Sequence, residues 1–280
     1  MNLLASWRRQ GYDRTLLALV AVIVYLFPVY WMVATSIKSP PAIFASPPQV
    51  IPEHPTLSAY REAIFDNSAV IRAMRNSAII AVGTTILTLI LAAPAAYALA
   101  RIRPRGSGLF TLLLLIGQLL PGIVVAGPLF VLFSRIDLIN SFPALIIADG
   151  TVTLPFAVIV LRPFFLSIPR ELESAAMVDG STRFGAFFRI VLPLIRPGLI
   201  TVAALSFLIA WGEFIFALSL NLNDNIAPVT VAMNKFVGQY GTEWDKMMAV
   251  ATTVAIPIVA IFIALQRFIV GGLTTGATKE

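Results

Sequence analysis

The chain has 280 residues, of which 58% are hydrophobic and 12% charged, with a mean hydropathy of +0.88. That balance excludes an ordinary soluble globule and describes an integral membrane protein. The formal net charge of +6 comes from Lys and Arg at the ends of apolar runs, not from one cluster with interleaved aromatics, so membrane orientation explains it better than nucleic acid does.

Six runs are long enough to cross the ~30 Å hydrocarbon core as helices of about 20 residues. The expected fold is all-α and polytopic, with spans near 15–37, 77–100, 109–134, 142–165, 198–220 and 247–270. The first run is too long for a typical signal peptide and has no convincing small-residue cleavage site after it, so it reads as a retained span. Tyr30 and Trp31 near its end suit an interfacial aromatic belt. The 38–76 connection carries Pro40, Pro41, Pro47, Pro48, Pro52 and Pro55, which predicts an extended first half. Shorter turns are predicted at 101–108 and 135–141, and a polar loop at 221–246. Pro28, Pro94, Pro121, Pro128, Pro155 and Pro257 fall inside spans, which predicts a packed, kinked bundle able to line a cavity. No internal repeat supports a transporter built from duplicated halves.

Thirteen basic residues fall at the N-terminus, the 101–108 turn, the 162–196 region and the C-terminus, against seven on the alternate side. The positive-inside rule then places both termini and the segment between the fourth and fifth spans in the cytoplasm.

Polar groups at membrane depth are few. Gln118, Asp149 and Glu213 are the candidate pathway residues, because a charge or amide there is costly unless it pairs or meets water. For Asp149 a helix-pairing hydrogen bond or a break at Asp149-Gly150 is an equal alternative, and Glu213 is as readily structural as solute-facing. Asn76 and Asn221, near span ends, can also serve sugar hydroxyls or glue helices. An intramembrane hydrolase could use Asp149 and Glu213 as an acid pair, but they would have to meet across helices. The sequence shows no Ser/His/Asp triad or metal-spaced His/Asp/Glu cluster. With no cysteine and one histidine, His54, catalytic and metal sites are both predicted to be absent. The run Gly271 to Thr278 has the glycine spacing of a phosphate-binding loop, but Ala277 stands where its lysine belongs, so no nucleotide site is expected in this chain.

Ser167 to Pro197 is the long polar interruption among the later spans. Ser167 is predicted to cap a short helix with Pro169 and Glu171 in its first turn. Leu172, Ala175 and Ala176 would form a small apolar face, Asp179-Gly180 an elbow, and Ser181 the start of a second helix. Phe184, Phe187, Phe188, Val191 and Leu192 share a side of that second helix.

In Ala175-Ala176, then Gly180 after three residues, then Ile190-x-Leu192-Pro193 after nine more, the segment resembles the EAA signature of the permease subunits of bacterial ABC importers. Ser174 stands where that signature has its glutamate, with Glu171 and Glu173 just before. Asn140-Ser141 and Trp211-x-Glu213-Phe214 also resemble that family, as does the Gly272-Leu273-Thr274-x-Gly276-Ala277-x-Lys279 tail, which is similar to its carbohydrate-importing branch. Gly212 departs from the polar residue common in that W-x-E stretch.

The resemblance implies a type I ABC importer permease in the inner membrane, the shorter of two, that makes or breaks no bond. It implies a second permease subunit, an ATPase homodimer holding the ATP and Mg, and an external solute-binding protein. The 167–197 segment would be the ATPase-coupling element through Glu171, Glu173, Ala175, Ala176, Asp179 and Gly180. Thr274, Gly276 and Lys279 would contact the ATPase. The cargo would be a sugar or sugar-like solute; a glycerol phosphodiester or polyol is the alternative.

Overall fold

The computed structural model describes the backbone of residues 3–238 and 241–277 and the side chains of residues 14–238 and 241–266. Among the described residues, four helical stretches are long and apolar enough to cross a membrane: Arg14–Ser36, Ser68–Ile102, Phe142–Ser167 and Trp244–Gln266. Two bent pairs, Ser107–Leu119 with Gly122–Arg135 and Arg183–Leu194 with Arg196–Trp211, raise the number to six if each counts as one span.

Several boundaries differ from the predicted ones for local reasons. The second long helix begins at Ser68, so the last part of the expected 38–76 loop, with Arg72 and Arg75, is helical. The proline-rich half contains one helical turn, Pro40–Ile43, because proline at the first helical positions loses no needed hydrogen bond. The expected 109–134 span is broken and turns through 102°. Leu120 precedes Pro121 and takes extended angles (φ −74°, ψ 123°), as a residue before proline tends to, and the helix stops there. The expected 198–220 span is likewise divided, into Arg196–Trp211 and Ile215–Leu220. The predicted polar loop 221–246 contains the helix Val229–Asn234 and a two-stranded hairpin pairing Val237 with Thr242. Asp149-Gly150 is no break: the Phe142–Ser167 helix runs straight through it.

The chain divides into two compact units. One comprises residues 1–70 and 233–255. In it the Lys38 ammonium donates to the Gln49 carbonyl (2.5 Å) and lies 4.5 Å from the centroid of the Trp31 ring, so Trp31 carries a cation rather than serving only as an interfacial anchor. Lys246 bridges Glu62 (3.2 Å) and Glu243 (2.9 Å).

The other unit comprises residues 71–232 and 256–280. Ala92, Ala96 and Ala100, one helical turn apart, form a stripe small enough to let the buried Ala157, Val158, Leu161 and Phe165 of the Phe142–Ser167 helix approach closely. The hydroxyls of Thr88 and Thr153 pair across the same two helices at 2.7 Å. A second cluster gathers Ile80, Phe133, Leu145, Phe216 and Leu220. Asn76 donates to the carbonyls of Asn225 (3.0 Å) and Ala227 (3.1 Å), which makes it helix-to-loop glue.

Gly198 exists because a ring covers it: a Cβ there would stand 2.6 Å from Phe164. Gly198→Ala is therefore expected to cost about 1–3 kcal/mol. Gly127→Ala, with nothing within 4 Å, is the control. Thermal unfolding in detergent should give a lowered midpoint for the first only; equal midpoints would contradict this packing.

Candidate functional site

Ile168, held extended before Pro169 (φ −79°, ψ 130°), ends the Phe142–Ser167 helix and frees the next nine residues to start their own. Ser167 does not cap that helix as predicted: it is the last residue of the preceding one, and its hydroxyl donates to the Phe164 carbonyl. Pro169 is the cap residue of the Arg170–Val178 helix, whose first turn carries Glu171 and Glu173. At the other end the Gly180 N–H donates to the Met177 carbonyl (3.2 Å) and the Ser181 N–H to that of Ala176 (2.9 Å). This is a Schellman closure, and Gly180 sits in the left-handed region at φ +90° that the motif requires. The next helix opens on Thr182, not Ser181, with the Thr182 hydroxyl accepting from the Gly185 N–H.

The Arg170–Val178 helix has two unlike sides. Glu171, Leu172, Ala175 and Val178 are exposed, Val178 at 87%. Glu173 and Ala176 turn the other way and are half-buried, so the predicted Leu172/Ala175/Ala176 face is replaced by one centred on Ala175 and Val178. The Glu173 side chain is only 12% exposed. Its Oε1 lies 2.8 Å from Nε of Arg101, itself 7% exposed, as an ion pair whose N–H is not aligned on the oxygen. Its Oε2 accepts from the Tyr97 hydroxyl at 2.8 Å. The Arg101 guanidinium also donates to the Ile168 carbonyl. Beneath this, the Tyr97 ring packs on Phe165 (5.6 Å between centroids) and Phe187 (4.8 Å). Glu173 thus faces the bundle, while Glu171, with which it was grouped, faces outward. Tyr97 and Arg101 were not singled out from sequence; their i, i+4 spacing, which puts ring and guanidinium on one helix face, was the available signal.

The membrane-depth candidates separate in the same way. Asp149 is 2% exposed beside the buried Thr84, and its Oδ2 has no hydrogen-bond partner among the described residues. Glu213 lies within Coulombic range of it. Yet both Glu213 oxygens are taken, by the N–H groups of Phe216 (2.8 Å) and Ala217 (3.1 Å), so Glu213 caps the Ile215–Leu220 helix at the break in the fifth run. Thr230 donates to its backbone carbonyl. Gln118 is exposed and donates to the Val152 carbonyl at 2.8 Å. Asn221 is buried with neither side-chain oxygen nor nitrogen bonded among the described residues. Also among the described residues, no cluster of His, Cys, Asp and Glu could hold a metal ion.

Residues 89–274 match the family of the binding-protein-dependent transport system inner membrane component. The chain belongs to that family. The match begins ahead of Tyr97 and takes in Arg101 and the whole elbow, so the permease's ion pair lies inside the family region. The permease is 35% identical over 266 residues to the sulfoquinovosyl glycerol transport system permease protein SmoH of Agrobacterium fabrum, covering 95% of this chain and 93% of that one. It is 37% identical over 256 residues to the trehalose transport system permease protein SugB of Mycobacterium tuberculosis, covering 91% and 92%. In fold it resembles the crystal structure of a bacterial ABC transporter involved in the import of the acidic polysaccharide alginate, with a TM-score of 0.80 at 22% identity over 94% of this chain and 97% of that one. It is thus an all-α, polytopic inner-membrane permease. Its tail continues the Trp244–Ala277 helix through Thr274 and Gly276, of which only the backbone is described, and Lys279 lies outside the described residues altogether.

The cap at the fifth-run break makes a specific prediction. Glu213→Ala removes both acceptors and should destabilise the permease by about 0.5–2 kcal/mol, whereas Glu213→Gln keeps one acceptor oxygen and should lose less. Thermal midpoints of the purified variants check this, and equal losses would remove the capping role.

Proposed function

We propose that this permease is one subunit of a heteromeric importer that carries a sugar or sugar-like solute into the cytoplasm. It pairs with a second permease, receives solute from an external binding protein, and is driven by two copies of an ATPase that hold the ATP and Mg. Both termini and the Arg170–Val178 helix lie on the cytoplasmic side, as the distribution of basic residues supports. The cargo class is supported by the sugar and glycoside transport named for full-length relatives.

The chain itself does no bond chemistry. The two buried acids could form a general acid–base pair only if both were free, and the Glu213 carboxylate is already bound to two amides. Asp149, with an oxygen left over, is the better of the two for meeting a polar solute or its water. Gln118, exposed at the end of its helix, is the other pathway candidate.

The observation that carries the coupling role is the exposed face of the Arg170–Val178 helix. Ala175 and Val178 offer a smooth apolar patch, flanked by Glu171, on a helix with no buried residue of its own. A groove on the ATPase accepts such a face, and the elbow formed by Asp179 and Gly180 fixes its exit. Thr274, Gly276 and Lys279 form a second contact with the ATPase in this reading. Ala175→Arg would place a charge in that groove and should release the ATPase or leave it hydrolysing ATP without transport. Gly180→Val meets no neighbour but forces a β-branched residue to φ +90°, at a cost of about 1–2 kcal/mol. Co-purification and ATP hydrolysis of the reconstituted complex check both variants; an unchanged, fully coupled complex with Ala175→Arg would contradict the docking face.

A further inference from the structure

We infer that Arg101, Glu173 and Tyr97 form the tether through which movement of the Arg170–Val178 helix is passed to the Ser68–Ile102 span. This rests on the reading of that helix as the ATPase-docking element. Nine residues are too few for a helix to be stable alone in water, and this one has no fully buried residue, only the half-buried Glu173 and Ala176 turned towards the bundle. Its two ends are the proline junction at Ile168-Pro169 and the glycine elbow at Gly180, where the chain changes direction. A recess of about 210 Å³, lined by Arg170, Ser174, Met177 and Arg183 among others, lies beside Glu173, so packing is incomplete on that side of the helix. The polar contacts at Glu173 are therefore the specific link between this helix and the Ser68–Ile102 span.

Each member has a distinct part. Arg101 holds the Glu173 carboxylate and, through the same guanidinium, the Ile168 carbonyl at the proline junction. Tyr97 holds the other carboxylate oxygen and carries the contact into the aromatic cluster with Phe165 and Phe187. A carboxylate this sheltered cannot let go of both partners without water replacing them, so the helix and the end of the span move as one body. Glu173, Arg101 and Tyr97 are positioning residues; the groups that meet the ATPase are on the opposite face.

The test uses the complete complex with spin labels at Leu172, on the margin of the outward face, and at Ile86, exposed on the span. The permease has no cysteine of its own to compete with the introduced labels, and the other subunits are used in cysteine-free form. With the native tether, one narrow inter-label distance is expected with and without MgATP and vanadate. In Glu173→Gln, Arg101→Gln and Tyr97→Phe the distribution should widen, further on adding MgATP and vanadate, while the ATPase stays bound and active. Tyr97→Phe keeps the ring and its packing, so it separates tethering from folding. Narrow, wild-type-like distributions in all three variants would overturn the tether, as would failure of the Tyr97→Phe complex to assemble. An ATPase that does not co-purify with the wild-type permease would instead refute the docking reading, and widening without nucleotide would still uphold the tether.

Discussion

A guanidinium and a carboxylate drawn almost out of water must satisfy each other and every remaining lone pair and N–H nearby, because an ion left alone in a poorly hydrated site costs several kcal/mol. Arg101 and Glu173 meet that demand in part: they pair at 2.8 Å with the Nε–H not aligned on Oε1, while the Tyr97 hydroxyl serves the other carboxylate oxygen and the Ile168 carbonyl takes a guanidinium N–H. The consequence is geometric. Once the Glu173 side is committed to the bundle, the helical period of 3.6 residues leaves Glu171, Ala175 and Val178 pointing away from it. The exposed face is thus a by-product of the buried one, and the Schellman closure at Gly180 turns the chain back so that Phe187 can rejoin the core under Tyr97.

A second constraint acts inside the membrane, where a helix break exposes backbone groups that no water can satisfy. The break at 212–214 is made tolerable by a side chain from the break itself: the Glu213 carboxylate takes the first amides of the following helix. Near the break at Leu120 and Pro121, Gln118 donates to the Val152 carbonyl and so ties the broken pair to the Phe142–Ser167 helix. At these places polar residues singled out by hydropathy also support interrupted helices. Asp149 differs, being deep in an unbroken helix with an oxygen unbonded among the described residues.

The all-α membrane class was legible because long apolar runs leave few alternatives, and the elbow was legible because Asp179-Gly180 combines a helix stop with freedom for positive φ. Helix ends were read less well. Ser167 is a good cap residue by type, yet Pro169 two positions later dictates where the helix begins, and Thr182 competes successfully with Ser181. The broken third and fifth runs were invisible to a hydropathy window, which sums composition and ignores the conformation imposed before Pro121 or by the Glu213 side chain. The tether was missed for a different reason. Tyr97 and Glu173 are 76 residues apart, and Arg101 looked like one more orientation charge at the end of a span.

The central claim, that the outward side of the Arg170–Val178 helix is where the ATPase docks, is tested most directly by proximity. A photo-crosslinking residue placed at Val178 or Ala175 in the assembled transporter should capture the ATPase, while the same residue at Ala176, on the bundle side, should capture only the permease itself. Capture of the ATPase from Ala176 but not from Val178 or Ala175 would contradict the account.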